Sequence, residues 1–242
     1  MIAVVTGAKG GIGSEVTRSL GAMGHEVIGL GRAECDLSVL ASVAALTRRL
    51  RSQHRTIDLL INNAAVAGRR GVTGDGFELA FGINYLSHFL MTRALASPQT
   101  RVVNVSSEAH RSASSIDPRL GVGRTKSLTG WREYGFSKAC QIAITIELAS
   151  RGIDAYSVHP GVIATGLWRP MPQPFRWLAM RGMAPAAAGA LPVMKAALDR
   201  DLEPGAYISP AGILEPSNVA RDRSATARLW DQSEGWVDRY LA

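Results

Sequence analysis

Tyr134 and Lys138 stand four residues apart in Tyr134-Gly135-Phe136-Ser137-Lys138, at the head of a helical pattern. On a helix that spacing stacks both side chains on one face, with Cβ atoms about 5–6 Å apart. A free tyrosine titrates near pH ~10 and is a poor acid or base at neutrality. Bringing it down to about 7 takes roughly 3 pH units, or about 4 kcal/mol. One ammonium at about 4 Å supplies roughly that much at an effective dielectric of about 20. The pair can therefore form a proton-transfer group that works at neutral pH. Tyrosine and lysine also fall four apart on helices that do no chemistry, so the rest of the chain has to decide.

The elements that would position this pair begin at the N-terminus. Ile2-Ala-Val-Val-Thr6 is a short β-branched run, read as a buried parallel strand. It enters Gly7-Ala8-Lys9-Gly10-Gly11-Ile12-Gly13, a helical stretch over 14–23 and a second strand over 26–31. Strand, glycine turn, helix and strand make a βαβ unit. Its glycines let the backbone turn tightly and approach a pyrophosphate, which rests on the helix N-terminus. Gly7, Gly11 and Gly13 are spaced G-x-x-x-G-x-G, unlike the G-x-G-x-x-G of the usual dinucleotide fingerprint.

Further on, a helix is expected over about 39–53, a strand over 57–61 ending in Asn62-Asn63-Ala64-Ala65, and one long helix over roughly 76–96 containing Asn84. The crossover between the second strand and a third one ahead of Asp36 is nearly deleted, so that third strand is expected to be vestigial. Arg101-Val-Val-Asn-Val-Ser-Ser107 is the next strand, and a loop over about 108–129 follows it. Loops of that length are usually functional or disordered. The Tyr134 helix runs to about 150, a strand covers 153–158, and His159-Pro160-Gly161 follows. A helix over about 186–198, a short strand over 206–208 and a helix over about 225–240 complete the chain. Strands alternating with helices predict a single α/β domain over 1–242: a Rossmann-type, doubly wound parallel sheet with helices on both faces.

Composition excludes several classes. The 242 residues, 46% of them hydrophobic, suffice for one substantial core. The most apolar region, 177–194, is interrupted by Arg181, Pro185 and Pro192, so no membrane span is expected. A strand pattern that starts at Ile2 leaves no room for a secretory leader. Cys35 and Cys140 have no metal or redox spacing and read as small buried residues, which suits a reducing cytoplasm. His88, His110 and His159 read as helix face, loop and strand end, and no metal site is expected. The net charge of +7 is spread over dispersed arginines without an aromatic-interleaved stripe, so nucleic acid is not the expected partner.

With the glycine turn, Asn62-Asn63-Ala64, Asn84, Ser107 and Tyr134/Lys138 in this order, the chain resembles the short-chain dehydrogenase/reductase family over nearly its whole length. Gly76-Phe77-Glu78, the stretch from Gly82-Ile83-Asn84 to Leu90, and Ser157-Val-His-Pro-Gly161 resemble its retinol-dehydrogenase-like branch. The resemblance implies that Tyr134 donates a proton to a carbonyl oxygen, or accepts it in the reverse reaction. Lys138 would lower the Tyr134 pKa and bond the nicotinamide ribose. Ser107 would hold the substrate oxygen, and Asn84 would seat a water relaying protons to Lys138. Ser107 is preferred to Ser106, which reads as a satisfied strand-end hydroxyl.

The cofactor expectation is NADP(H). Gly31 stands where NAD enzymes tend to carry a carboxylate for the ribose 2′-hydroxyl, and Arg32 follows it. An arginine on a 2′-phosphate adds about 1.5–3 kcal/mol, or roughly 10- to 100-fold in affinity. Lys9 is either a second cation for that phosphate or a solvated loop residue. By resemblance, Gly7, Gly11, Ile12 and Gly13 would line the pyrophosphate, and Asp36 and Leu37 the adenine. Asn63, Ala64 and Ala65 would line the ribose side, and Pro160, Gly161 and Thr165 the nicotinamide. Ala65 departs from the glycine common in the family.

The segment over about 162–184 would form a substrate lid. Its Leu167, Trp168, Met171, Phe175, Trp177, Leu178, Met180 and Met183 suit a hydrophobic ketone, aldehyde or alcohol, or else bury the lid against the core. Helices over 75–96 and 134–150 pair subunits in many relatives, which makes a homodimer or homotetramer possible. The rival reading is a non-catalytic NADP(H)-binding sensor or scaffold on the same fold.

Overall fold

The computed structural model describes residues 1–164, 173 and 182–241. Its strands are β1 (Ile2–Thr6), β2 (Glu26–Leu30), β3 (Leu59–Asn62), β4 (Arg101–Val105), β5 (Asp154–Val158), β6 (Tyr207–Ser209) and β7 (Gly212–Leu214). They form one sheet in the order β2-β1-β3-β4-β5-β6-β7. All neighbours are parallel except β6 and β7. The antiparallel end, which the sequence reading did not anticipate, is a hairpin turned by Pro210 and Ala211. Ser209 Oγ accepts from Ala211 N (3.1 Å), and Gly212 takes φ +112°.

No strand lies between β2 and α2 (Leu40–Gln53), so β2 is the free edge and the deleted crossover is a real gap in the sheet. The chain winds outward from β1 to β2, then returns to the other side of β1 for β3. That reversal leaves a crevice at the carboxyl ends of β1 and β3, where open α/β sheets take ligands.

Helices α1 (Gly11–Ala22) and α5 (Ala186–Leu198) cover one face of the sheet around Val5, Ile61 and Val103. The other face carries α2, α3 (Ser87–Leu95), α4 (Trp131–Ser150) and α6 (Arg223–Leu241) around Val4, Leu60 and Val102. Adjacent residues of β1 serve opposite cores, as a strand buried on both sides requires. Helix α6 lies over α3 and α4, the helices expected to pair subunits. Trp230 meets Phe89 edge-on at 5.2 Å and carries the Arg151 guanidinium 3.9 Å from its ring centre. Tyr85 bonds Ser233 at 2.8 Å, and Arg93 pairs with Glu234. No helix among the described residues is long and apolar enough to cross a membrane.

The long helix expected over 76–96 is not regular. Phe81–Leu86 form a π-helical segment ahead of α3, with Ser87 N donating to Gly82 O five residues back. Single π turns cluster at functional sites, and this one carries Asn84.

Candidate active site

The crevice is built first by glycines. Gly7 has φ +68°, and a Cβ on Gly13 would stand 2.2 Å from the Gly7 carbonyl oxygen. Only a bare backbone lets α1 start this close to the turn. Helix α1 has no side-chain cap and no acid in its first turn, so its leading N–H groups are available to an anion. Thr6 ties the two sides of the crevice together. Its hydroxyl accepts from Asn63 N (2.9 Å) and Ala64 N (3.0 Å), while Asn63 Nδ2 donates to Thr6 O at 2.8 Å.

A cavity of about 510 Å³ runs past Gly7, Gly11 and Ile12 to Tyr134, Lys138 and Pro160. A second cavity, of about 230 Å³, lies among Gly31, Arg32, Asp36 and Leu37. Both are walled by Gly7, Ala64, Ala65, Val66 and Arg69, so they are two ends of one groove along the strand ends. A dinucleotide fits that shape: bare glycines at its middle, a capless helix end, and side-chain chemistry at one extremity.

Tyr134 and Lys138 lie in the first turns of α4, 4% and 1% exposed. The Lys138 ammonium donates to the carbonyl oxygen of Val105 (2.7 Å), at the end of β4, and to Gln141 Oε1 (2.8 Å). It sits 5.6 Å from the centre of the Tyr134 ring. Burial pushes the phenol up to about 12, and a hydrogen bond from Ser107 pulls the other way. Burial pulls the ammonium down to about 7. The expectation that Lys138 makes the phenol acidic is therefore corrected. Both groups are desolvated, which disfavours each charged form.

Ser107 caps a 3₁₀ turn (Glu108–Ser112) just beyond β4 and reaches Tyr134. Ser106 also lines the larger cavity, and its hydroxyl is spent on Lys138 O at 3.0 Å. Asn84 is bound on every side. Its Oδ1 accepts from Val66 N (2.8 Å), and its Nδ2 donates to Val66 O (2.9 Å) and Ser137 Oγ (3.0 Å). With both amide hydrogens spent, Asn84 has no donor left to seat a water, and what it holds is the loop at Val66.

His88 lies behind this set, fully buried. Its Nδ1 is 2.9 Å from Asn84 O and its Nε2 is 3.0 Å from Thr6 Oγ1. A carbonyl only accepts, so the proton sits on Nδ1 and the Thr6 hydroxyl donates to Nε2. Burial holds the ring neutral, with its pKa down to about 4.

At the far end of the groove the structure changes the cofactor argument. Gly31 brings no carboxylate of its own, but Glu34 folds back onto it. Glu34 Oε2 accepts from Gly31 N at 2.8 Å, and Oε1 pairs with Lys9 at 2.5 Å. Arg32 is exposed, 3.5 Å from Asp36, which in turn accepts from Ser38 N and Oγ. Glu34 thus brings the carboxylate that Gly31 lacks, and Lys9 and Arg32 each already have an acid beside them.

Gly161 takes φ +94° after Pro160. Thr165 and the lid residues Leu167, Trp168, Met171, Phe175, Trp177, Leu178 and Met180 lie outside the described residues. Thr6, Glu34, Val66, Arg69, His88, Ser137 and Gln141 are the functional neighbours that sequence reasoning missed. Gln141 alone had a legible signal, its place three residues after Lys138 on the same helical face.

Comparison with known proteins agrees with this geometry. The profile of a family described as enoyl-(acyl carrier protein) reductase matches residues 4–192. Mouse retinol dehydrogenase 12 is 33% identical, with 96% of this chain and 84% of that protein aligned. Mouse retinol dehydrogenase 13 is 32% identical over 99% of this chain and 84% of its own length. Among solved structures, an uncharacterized protein from Mycobacterium paratuberculosis superposes with a TM-score of 0.72 at 27% identity, covering 98% of this chain and 93% of that one. The 3-alpha-hydroxysteroid dehydrogenase from Pseudomonas sp. B-0831, solved with NADH, shares the fold at 18% identity and a TM-score of 0.69, over 86% and 94%. The chain belongs to the short-chain dehydrogenase/reductase family of NAD(P)-dependent oxidoreductases, in its retinol-dehydrogenase-like branch.

Proposed function

We propose that the protein reduces a hydrophobic ketone or aldehyde to its alcohol with NADPH, and runs the reverse reaction with NADP. The observation that supports this reading most is the shared wall of the groove: Tyr134 and Lys138 face the same cavity as the glycine turn. When bound, the nicotinamide supplies the hydride. The chain's own residues then handle one proton and one oxygen. Tyr134 donates its phenolic proton to the carbonyl oxygen as hydride arrives at carbon. A phenol raised to about 12 keeps that proton at neutral pH, which is the form reduction needs. Ser107, bonded to Tyr134, offers a second hydroxyl to the developing oxyanion. Lys138 has three N–H bonds; two go to Val105 and Gln141, leaving one for the groove and its ribose hydroxyls. Asn84 acts as a positioning residue through Val66.

NADP(H) is favoured over NAD(H) by Arg32 and Lys9, two cations at the Gly31 end. Their pairing with Asp36 and Glu34 tempers the preference. The apolar substrate class rests on the composition of the proposed lid over 162–184 and on Trp131, which meets the Tyr134 ring edge-on at 5.6 Å. A single copy suffices for this chemistry, because α6 covers the helices that would otherwise pair subunits.

The test is a panel of hydrophobic ketones and aldehydes, followed by NADPH oxidation for wild type and Tyr134→Phe. Turnover by wild type alone supports the reading. Tight NADPH binding without turnover of any member points instead to a cofactor-binding sensor or scaffold.

A further inference from the structure

The Lys138 ammonium is buried among neutral groups. Its two acceptors are a backbone carbonyl and a side-chain amide, and no carboxylate pairs with it among the described residues. The titratable groups facing it are Tyr134, one turn back on α4, and His88 from α3; neither carries negative charge at neutral pH. The side-chain acceptor is Gln141, itself 3% exposed. An ammonium only donates, so the amide oxygen of Gln141 must face Lys138. That orientation leaves Gln141 Nε2 buried with no partner in the described structure. A buried amide hydrogen is seldom left unpaired unless something else fixes the group.

Behind the main chain at Gln141 runs a polar seam under the active site, which meets the residue at its backbone carbonyl. Gln141 O accepts from Thr145 Oγ1 (2.8 Å), which accepts from Asn104 Nδ2 (2.9 Å). Asn104 Oδ1 accepts from Asn62 Nδ2 at 2.8 Å. Tyr134, Lys138, Gln141 and Thr145 follow one another at helical spacing along the sheet-facing side of α4. The seam thus anchors the helix face that carries Lys138 to the ends of β3 and β4.

We propose that Gln141 is the positioning residue of this site: its amide oxygen holds the Lys138 ammonium charged and aimed past Val105 into the groove. This role rests on the oxidoreductase reading of Tyr134 and Lys138, but the contact is measurable without turnover. The chain has four lysines, Lys9, Lys126, Lys138 and Lys195, so the ε-carbon of Lys138 can be followed by NMR in protein labelled with ¹³C-lysine. In wild type it should titrate near 7. Gln141→Met keeps the volume and removes the acceptor, and should lower that titration by about one pH unit. Gln141→Glu keeps an acceptor and adds charge, and should raise it by a similar amount. The Glu variant also covers the case in which the Met variant does not fold.

With substrate, Gln141→Met should lose about tenfold in kcat at neutral pH while KM for the carbonyl changes little, and its pH–rate limb should follow the NMR shift. A Lys138 titration that coincides in wild type and either folded variant overturns the proposal. An inactive wild type whose Lys138 still responds to Gln141 defeats the oxidoreductase reading and leaves the contact standing.

Discussion

The carboxylate of Glu34 accepts the amide hydrogen of Gly31 at 2.8 Å while it pairs with Lys9 at 2.5 Å. It thus lies at the end of β2, where a 2′-phosphate would arrive, and its own pKa is lowered by the Lys9 contact. A carboxylate there repels a phosphate and can accept a 2′-hydroxyl.

Glu34→Gln should therefore tighten NADPH binding by roughly two- to fivefold, the scale of an exposed charge pair, and leave NADH unchanged or slightly weaker. Arg32→Ala should weaken NADPH by about tenfold with little effect on NADH. Fluorescence titration of both reduced cofactors checks this. Equal changes for the two cofactors would place the 2′-position elsewhere.

Tyr134→Phe removes the proton and little else, since the ring stays packed against Trp131. It should cut kcat by about 10²–10⁴-fold, the usual share of general acid catalysis, with NADPH affinity and thermal midpoint near those of wild type. A large fall in cofactor affinity instead would mean that the phenol binds and does not transfer protons.

Asn84→Ala strips partners from the Val66 N–H and carbonyl together. Unsatisfied groups of this kind cost about 1–3 kcal/mol each when buried. Val66 is half-buried, so a total of about 2 kcal/mol, or roughly 4–8 °C in the thermal midpoint of a chain this size, is expected. Turnover should fall with it, because Val66 walls both ends of the groove. Ser137→Ala, which removes only one acceptor of Asn84, should cost less than half as much. Calorimetry of the two variants separates loop anchoring from a direct role in proton transfer.

Much of this site was legible because its signals are local. A β-branched run before Gly7, a tyrosine and a lysine one turn apart, and serines after Val105 declare themselves in short windows. The π segment at Phe81–Leu86 did not, because its residues are ordinary helix formers and the irregularity comes from what Asn84 must hold across the crevice. Glu34 was missed because the stretch after β2 reads as a deletion, and nothing in its spacing says that the side chain folds back. The Tyr134 pKa was misjudged for a related reason. Distance between two side chains follows from helical spacing, whereas desolvation depends on everything packed around them.

His88 makes the site's integrity depend on pH. Its neutral ring donates to Asn84 O and accepts from Thr6 Oγ1, so it links the π segment to the strand end that holds Asn63 and Ala64. Protonation of Nε2 would destroy the acceptor. The folded pKa is about 4 against ~6.5 for a free imidazole, so between those values the unfolded chain binds the extra proton. Stability is therefore fully present above pH ~6.5 and falls as pH drops towards 4, by about 3 kcal/mol over the whole window. Carboxylates titrate over part of the same range, so the informative quantity is a difference. Gln can donate and accept but does not titrate, and His88→Gln should lose less stability than wild type between pH 6.5 and 4. Urea unfolding at several pH values measures both curves. Parallel curves would show that His88 is not the group that the acid limb reports.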